Sequence, residues 1–417
     1  MRMTLLALIL VAASTTVFSQ TIAITNGKVY PVSGPPINNG TVLIRDGMIV
    51  AVGPQVTVPA GAQRIDASGK VVTPGLINSI TELGVVEIDQ VRNTNDVSAR
   101  GNNNIAAAFR VWDGLNPSSV LFAPARNEGV TSAVIVPQGG LVSGQAAVID
   151  LVSGRVSDLM RRPSVAMVAQ VGNANNAGTS ARGELIGKLR TLLDDVIFYV
   201  QHRNDFDRAG TRTLSAARAD LEALAPIVEG RMLLMVEANR VDEIDATLAL
   251  ARDYRLKLAI SGGAEAWLCA DRLAAARVPV LTGAMNNIPD SFATLNQRQE
   301  NAALLRKAGV QVVITGGGDV TRYNARNIKY EAGNAVAYGM SYDDALRAVT
   351  LTPAELFGLS DRIGSLQTGR EANIVVWSGD PFEFSTQAEH VFIRGREVKE
   401  PSRQDLLIER YKPKARD

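Results

Sequence analysis

The sequence predicts an α/β protein with a parallel sheet covered by helices and a small β module to which both chain ends contribute. Three observations support this fold class. The chain has 417 residues, which suits one large barrel and an accessory module. Short apolar runs alternate with helical stretches through the middle of the chain. Strand-like alternation with tight turns occupies residues 22–66 and returns after residue 364.

Seven apolar runs predict the strands of the parallel sheet. They are Leu76–Ile80, Val130–Val136, Val165–Val168, Met232–Val236, Leu256–Ile260, Val278–Leu281 and Val310–Ile314. Near-continuous apolar strands separated by helices are typical of a sheet that is buried on both faces. An eighth strand is not assigned, because Val196–Val200 belongs to "GELIGKLRTLLDDVIFYVQ", which fits one long helix better.

The two chain ends predict a small antiparallel module. In "TVLIRDGMIVAVG", Asp46 and Gly47 separate two alternating runs, as the two central residues of a hairpin turn do. Similar patterns return near the end, in "GSLQTGREANIVVWSGDPFE" and "HVFIRGREV". Both ends are therefore expected to join in one module.

The first twenty residues, "MRMTLLALILVAASTTVFSQ", predict a signal peptide. Val17 and Ser19 are small residues at the positions that a signal peptidase recognises, so we expect cleavage just before Gln20. The alternative is a membrane anchor, but the apolar run Leu5–Ala13 is shorter than the ~20 residues that span a bilayer. The mature protein is expected to be periplasmic or extracellular, without a transmembrane segment.

The charge balance and the cysteine count exclude some classes of protein. Lys and Arg number 43 and Asp and Glu number 42, so no basic surface for nucleic acid is expected. Cys269 is the one cysteine, so an exported chain has no internal disulfide. It lies in an apolar helical pattern, which favours a packed thiol over a catalytic one.

Several motifs resemble those of the amidohydrolase superfamily, in particular its imidazolonepropionase-like and dihydroorotase-like branches. In chain order they are "ITNGKVY", "VLIRDGMIVAVG", "IDASGKVVTPGLIN" and "ALRAVTLTPAELFGL…GSLQTGREANIVVWSGDPF". The resemblance implies a (β/α)8 TIM-like barrel and a small β-sandwich built from both chain ends. The expected boundaries are a signal peptide at 1–19, sandwich parts at 20–75 and 364–400, the barrel at 76–363 and a C-terminal tail at 401–417.

The resemblance also implies a metal, usually zinc, at the carboxyl ends of the barrel strands. There it lowers the pKa of a bound water, which attacks an amide, imide or ester carbonyl. In this sequence, however, Ile80 and Glu82 stand at the positions of the family's first-strand His-x-His motif. The fifth-strand histidine falls near Glu237, and the sixth-strand histidine falls near Ser261 or Gly262.

Other expected ligands are also missing or displaced. The family's eighth-strand aspartate falls on glycine in "VITGGGD", and Asp319 follows slightly late. The two histidines, His202 and His390, lie in a polar helix end and in a late strand, where structural or surface roles are expected. Two imidazoles cannot fill the usual multi-histidine site, so histidine-bound zinc is not expected.

One interpretation keeps an enzyme that hydrolyses non-peptide C–N bonds. Glu82, Glu237 and Asp319 would stand at the strand ends, where barrel active sites lie. They could hold Mg²⁺, Mn²⁺ or Ca²⁺, which prefer oxygen ligands, or one of them could act as a general base. The alternative is that Glu82 and Glu237 pair with arginines such as Arg92 or Arg240 and only fill the cavity.

A second interpretation is an exported pseudoenzyme that binds a small molecule or a peptide in the barrel mouth. "TGAMNNIPDSF" would supply Asn286, Asn287 and Asp290 as pocket contacts, although a helix-capping role fits them equally well. "VPQGGLVSGQAAVID" would line the pocket, or form a hairpin. The Asn-rich segments 92–104 and 173–183 would frame the mouth. Because family members often assemble, a homo-oligomer is also expected.

Overall fold

The computed structural model describes residues 21–99, 104–172, 181–289, 291–316, 324–398 and 400–412. The predicted signal peptide lies outside the described residues. Within the described part of the chain, no helix combines the length and the apolar character needed to cross a bilayer.

The described strands divide between the two chain ends and the middle of the chain. They are β1 (Thr21–Val29), β2 (Ile37–Arg45), β3 (Met48–Gly53), β4 (Gln63–Asp66), β5 (Val71–Pro74), β6 (Leu76–Thr81), β7 (Val130–Ile135), β8 (Val142–Asp150), β9 (Met160–Gln170), β10 (Leu233–Ala238), β11 (Leu258–Gly262), β12 (Val280–Thr282), β13 (Val312–Ile314), β14 (Ile374–Trp377), β15 (Ala388–Ile393) and β16 (Arg396–Glu397).

Most of the described helices lie between the barrel strands. They are α1 (Phe122–Asn127), α2 (Val156–Leu159), α3 (Arg182–Gln201), α4 (Arg203–Asp207), α5 (Arg218–Val228), α6 (Val241–Tyr254), α7 (Ala270–Ala276), α8 (Asn301–Lys307), α9 (Ile328–Ala337), α10 (Tyr342–Ala348), α11 (Leu351–Leu356) and α12 (Arg403–Tyr411). Short 3₁₀ helices occupy Arg92–Thr94, Val111–Gly114, Ala266–Cys269 and Ala325–Asn327.

The middle of the chain forms an eight-stranded sheet in the order β13-β12-β11-β10-β9-β8-β7-β6. Its edge strands β6 and β13 lie next to each other, so the sheet curls into a nearly closed, TIM-like barrel. Each of the seven predicted strands overlaps a barrel strand, and α3 confirms the long helix that the sequence predicts. The barrel prediction is therefore confirmed.

The strand that sequence analysis leaves unassigned is β8, and it differs from the other barrel strands in direction. It pairs antiparallel with both β7 and β9, whereas the remaining pairs of the barrel are parallel. Antiparallel strands can follow a short turn, but parallel neighbours need a long crossover. Between β7 and β8 the chain turns at Gly139 and Gly140, whose φ angles of +86° and +73° suit glycine.

Apolar side chains fill the inside of the barrel. This core contains Ile77, Val134, Val136, Ala146, Val148, Val165, Ala166, Val168, Met235, Ala259, Leu281, Val313, Ala354, Phe357, Leu359 and Ile363. Since a barrel of eight strands is just wide enough to be filled by side chains, chemistry is confined to its ends.

Both chain ends form a second sheet in the order β16-β15-β14-β5-β1-β2-β3, with β4 beside β1. The β2–β3 hairpin turns at Asp46 and Gly47, both with positive φ, as the sequence predicts. Apolar side chains of its own strands, among them Ile24, Ile374 and Phe392, form the core of this module. The shared module of the two ends is observed, while its description as a β-sandwich and the exact domain boundaries stay predictions. Within the predicted C-terminal tail lies α12, which is exposed along its length.

A buried charge network joins the barrel to this sheet. Asp150 on β8 is fully buried and accepts hydrogen bonds from Arg161 (2.7 and 2.6 Å) and Arg394 (2.7 Å). Arg161 also donates to Glu371 at 2.5 Å, and Glu371 accepts from Arg362 at 2.5 Å. These contacts fix the sheet of the chain ends against β8 and β9.

Candidate active site at the barrel mouth

A cavity of about 300 Å³ opens at the carboxyl ends of the barrel strands. This is the end at which TIM-barrel enzymes carry their active sites. The described lining consists of Ile80, Val136, Pro137, Gln138, Val168, Gln170, Met235, Glu237, Ser261, Gly262, Leu281, Thr282, Gly283, Thr315 and Gly316. Its floor is the apolar core of the barrel, and its polar groups lie on the strand ends.

Three polar residues of the lining form a row across neighbouring strands. Glu237 on β10 is in register with Gln170 on β9 and with Ser261 on β11. Side chains of paired residues in adjacent parallel strands point to the same face, about 4.8 Å apart at the backbone. The row therefore presents an amide, a carboxyl and a hydroxyl side by side to the cavity.

Glu237 is the one acidic side chain in the described lining, and the pKa of its carboxyl group is perturbed. Burial, and secondarily the negative charge of Glu243, raises the pKa of Glu237. Among the described residues, none donates a hydrogen bond to this carboxyl group or forms an ion pair with it. Glu243 itself is held by Arg182 and by the backbone N–H of Asn239 at 2.9 Å. Glu237 thus lies in the cavity wall without a protein partner for its charge among the described residues.

Gln170 was missed by sequence analysis, and it is the neighbour of Glu237. Its Oε1 atom is buried and has no hydrogen-bond partner among the described residues. Such an orphaned acceptor costs free energy unless a ligand, a water or a protonated neighbour satisfies it. The signal that could have found Gln170 is its position as the last residue of a barrel strand, two residues beyond the apolar run Val165–Val168.

Glu82 lies beside the cavity and is held in place. It is 1% exposed and accepts a hydrogen bond from Nε2 of Gln138, a lining residue that sequence analysis did not single out. Ile80, two residues earlier, lines the cavity with an apolar side chain. The structure therefore brings Glu237, Ile80 and Ser261 to one cavity and places Glu82 behind Gln138.

Neither of the two arginines offered as partners forms an ion pair with Glu237 in the described part of the chain. Arg240 donates to Asp242 at 2.9 and 3.1 Å, and Arg92 is exposed in a 3₁₀ helix. The alternative in which arginines pair with Glu82 and Glu237 and only fill the cavity stays a prediction.

Asn286 and Asn287, two of the predicted polar contacts from the segment after β12, are not among the described residues of the cavity lining. Asn287 is 5% exposed, donates to the carbonyl oxygen of Gly283 at 2.9 Å and accepts from Gln297 at 3.1 Å. It stabilises its own loop, while Asn286 is exposed to solvent. Asp290 and Asp319 lie outside the described residues.

A second buried acid, Glu331 on α9, stands outside the lining. Its Oε2 atom accepts from the backbone N–H groups of Ala284 (2.6 Å) and Met285 (2.8 Å). Burial raises the pKa of Glu331 although these hydrogen bonds oppose the shift. Glu331 therefore supports the loop after β12 rather than facing a ligand.

The described donor set does not fit a histidine-bound metal. His202 stacks on Phe198 at the end of α3, and His390 pairs with Glu397 at 2.7 Å in the sheet of the chain ends. Across the described ranges, no group of three or more His, Cys, Asp or Glu side chains could hold a metal ion. Glu237 is the one acidic side chain in the described lining.

Comparisons with known proteins agree with this architecture. The family model described as "Amidohydrolase family" matches residues 265–398. The amidohydrolase tasK of Hapsidospora irregularis is 24% identical over 389 residues, which cover 85% of this chain and 39% of that protein. The chain thus spans well under half the length of tasK.

Two further proteins match over most of their own length. An imidazolonepropionase of Mesorhizobium japonicum is 24% identical over 375 residues, covering 82% of this chain and 87% of that enzyme. The solved structure of an amidohydrolase from Thermotoga maritima has 26% identity and a TM-score of 0.82, covering 91% of this chain and 100% of the other. Together with the barrel and the module of both chain ends, these matches support the amidohydrolase superfamily as the family of this chain.

Proposed function

We propose that this protein hydrolyses a non-peptide C–N bond of a small molecule in the barrel-mouth cavity, with Glu237 as the proton-transfer group and without a histidine-bound metal. The observation that carries the proposal is the uncompensated Glu237 carboxyl group in the cavity wall, with its pKa raised by burial. A general base works best when its pKa lies near the working pH. Family membership supports the hydrolase class.

The three residues of the row have different roles in the proposed reaction. Ionised Glu237 accepts a proton from a water molecule as the water oxygen attacks the carbon of the C–N bond. The same proton then passes to the departing nitrogen, so that the bond breaks and an amine or ammonia leaves. Gln170 and Ser261 flank the carboxyl group and orient the reacting molecule through hydrogen bonds. Proton transfer of this kind contributes roughly 10²–10⁴-fold to a rate.

The donor chemistry of the lining supports a mechanism without histidine-bound zinc, since Ile80 and Ser261 stand where histidines were expected. Binding of Mg²⁺, Mn²⁺ or Ca²⁺ by carboxylates stays an alternative, in which Glu82, Glu237 and Asp319 are the candidate ligands. Elemental analysis of the untagged protein, exchanged against a metal panel, separates the two. One or two equivalents of a divalent ion, lost on Glu82→Gln, would favour the carboxylate site.

The proposal is tested by turnover of the full chain after treatment with a chelator. Amine or ammonia release is measured for a panel of small amides, cyclic amides, imides and amidines. We expect turnover that Glu237→Gln lowers at least 100-fold with the fold intact. Glu331→Gln is the matched control, because it changes a buried glutamate of raised pKa outside the cavity and keeps an acceptor oxygen. Equal turnover in both variants would contradict the proposal.

A second candidate function is ligand binding without chemistry, as in an exported pseudoenzyme. It is favoured by one observation, namely that Glu237 is the one acidic side chain in the described lining, where no His, Cys, Lys or Arg accompanies it. No turnover by the wild-type protein, combined with lower stability of Glu82→Gln, would favour this function over hydrolysis.

Export and self-association remain proposals. Export rests on the N-terminal apolar run of the sequence. Self-association rests on the resemblance, because family members often form oligomers. Fractionation of expressing cells with N-terminal sequencing tests whether the mature chain begins at Gln20. Sedimentation of the purified protein tests the homo-oligomer.

A further inference from the structure

We propose that the barrel-mouth cavity binds a compact organic cation with several N–H donors, such as an amidinium or a guanidinium group attached to a flat apolar body. This inference rests on the proposed function for the class of bond that reacts, a C–N bond. The affinity of the cavity for such a cation is measured separately from turnover.

Hydrogen-bond acceptors without partners dominate the polar row. The Glu237 carboxyl group has no partner among the described residues, and Oε1 of Gln170 is buried without one. Gln138 already uses an Nε2 hydrogen on Glu82. Two neighbouring acceptors, in register on β9 and β10, are complementary to a ligand with several N–H donors on one edge.

The charges around the cavity favour a positively charged ligand. The described lining contains one acid and no Lys, Arg or His, and the charge that acts on Glu237 most closely is that of Glu243, also negative. A cation compensates the Glu237 carboxylate in a site of low dielectric, where such a hydrogen-bonded ion pair is strong. An anion meets repulsion there.

The apolar part of the lining limits the size of the ligand and favours an apolar ring. Val168, Met235 and Leu281 form the floor below the polar row, and Ile80 forms part of the wall. A volume of about 300 Å³ accommodates a molecule with a single ring rather than a peptide. The expected reaction of an amidine adds water to the amidinium carbon, breaks one C–N bond and releases ammonium, leaving an amide.

Three molecules of one shape and different charge test the inference. Benzamidine, benzamide and benzoate are titrated calorimetrically into the chelator-treated full chain. We expect benzamidine to bind at least tenfold more tightly than benzamide, and benzoate to bind more weakly than both. Glu237→Gln is expected to lower benzamidine affinity at least tenfold and benzamide affinity less than threefold, whereas Glu331→Gln leaves both unchanged.

Gln170→Met tests the second acceptor, because methionine keeps the length of the side chain and removes the amide. We expect a threefold to tenfold loss of benzamidine affinity, with the thermal unfolding midpoint close to that of wild type. Unchanged benzamidine affinity in this variant would overturn the proposed role of Gln170 in binding.

The cation preference is overturned if benzamide or benzoate binds as tightly as benzamidine, if none of the three binds, or if Glu237→Gln leaves benzamidine affinity intact. Failure of the proposed function has a different signature. Benzamidine binding that depends on Glu237, without turnover of any substrate in the panel, supports this inference and rejects hydrolysis. Turnover of amides without a preference for benzamidine supports hydrolysis and rejects this inference.

Discussion

Buried carboxyl groups in this barrel are stabilised in different ways. Asp150 accepts hydrogen bonds from Ser132, Arg161 and Arg394, and Glu331 accepts from two backbone N–H groups. Glu237 has neither kind of partner among the described residues. Desolvation of the Glu237 carboxylate therefore carries a free-energy cost that no described protein group offsets. Strained or uncompensated groups of this kind tend to mark functional sites.

The raised pKa of Glu237 predicts how stability depends on pH. The folded protein holds a proton on Glu237 at pH values where the unfolded chain, with a carboxyl pKa near 4.5, has lost it. The Glu237 contribution to stability is therefore full below pH 4.5 and is lost as the pH rises through the folded pKa. We expect Glu237→Gln to unfold at higher denaturant concentration than wild type at pH 8, by about 1–3 kcal/mol, and to show a smaller difference at pH 4. The opposite trend with pH would contradict an uncompensated carboxyl group.

At the residue scale, the sequence located part of the site. Glu237 and Ser261 follow from the resemblance, because they stand near the positions of the family's fifth- and sixth-strand histidines, and both line the cavity. Gln170 was not found: its place just beyond an apolar run marks a strand end, but its register with Glu237 is a long-range property that a single sequence does not display. The role of Asn287 was missed because its amide is used by Gly283 and Gln297 in its own loop, a contact set by the path of that loop.

At the scale of elements, strands buried on both faces were predictable and β8 was not. Continuous apolar runs mark strands such as β7 and β10, which the sequence located to within a few residues. In β8, Ser143, Gly144 and Gln145 interrupt the apolar pattern, yet these residues are buried because the strand packs between β7 and β9. From the sequence alone, the polar residues and the glycine of β8 are as typical of a turn as of a strand.

The turn before β8 is expected to depend on glycine. Gly140 has a φ of +73°, and a Cβ atom there would lie 2.9 Å from the carbonyl oxygen of Asn104. We therefore expect Gly140→Ala to lower the free energy of unfolding by about 1–3 kcal/mol. Gly187→Ala is the control: its position on α3 is open, so alanine should stabilise the helix by up to about 1 kcal/mol. Denaturant titration measures both, and equal effects of the same sign would contradict this account of the hairpin.

At the scale of the whole molecule, a buried charge network joins the barrel to the sheet of the chain ends. Glu371, at the edge of the sheet of the chain ends, is 5% exposed and forms an ion pair with Arg161 of the barrel. Burial alone would raise the pKa of Glu371, but the hydrogen bonds and charges of Arg161 and Arg362 outweigh it and lower the pKa. The contribution of Glu371 is thus present above pH 4.5 and is lost as the pH falls through its lowered, folded pKa.

We expect Glu371→Gln to destabilise the protein at pH 7 by about 3–5 kcal/mol, because it leaves a buried arginine with one partner fewer. The difference from wild type should shrink in acid, where wild-type Glu371 is also neutral. Glu389→Gln is the matched control, since the Glu389–Lys70 pair is partly exposed and worth about 0–1 kcal/mol. Equal losses in both variants across the pH range would contradict the role of this network.

The central claim is that Glu237 performs proton transfer in the barrel mouth without a histidine-bound metal. The most direct measurement is kcat/KM for C–N bond hydrolysis by chelator-treated wild type, Glu237→Gln and Glu331→Gln, with folding of each checked by circular dichroism. The account predicts activity in wild type and Glu331→Gln and a loss of at least 100-fold in Glu237→Gln. Activity that appears only after a divalent metal is restored, or that survives in Glu237→Gln, would contradict it.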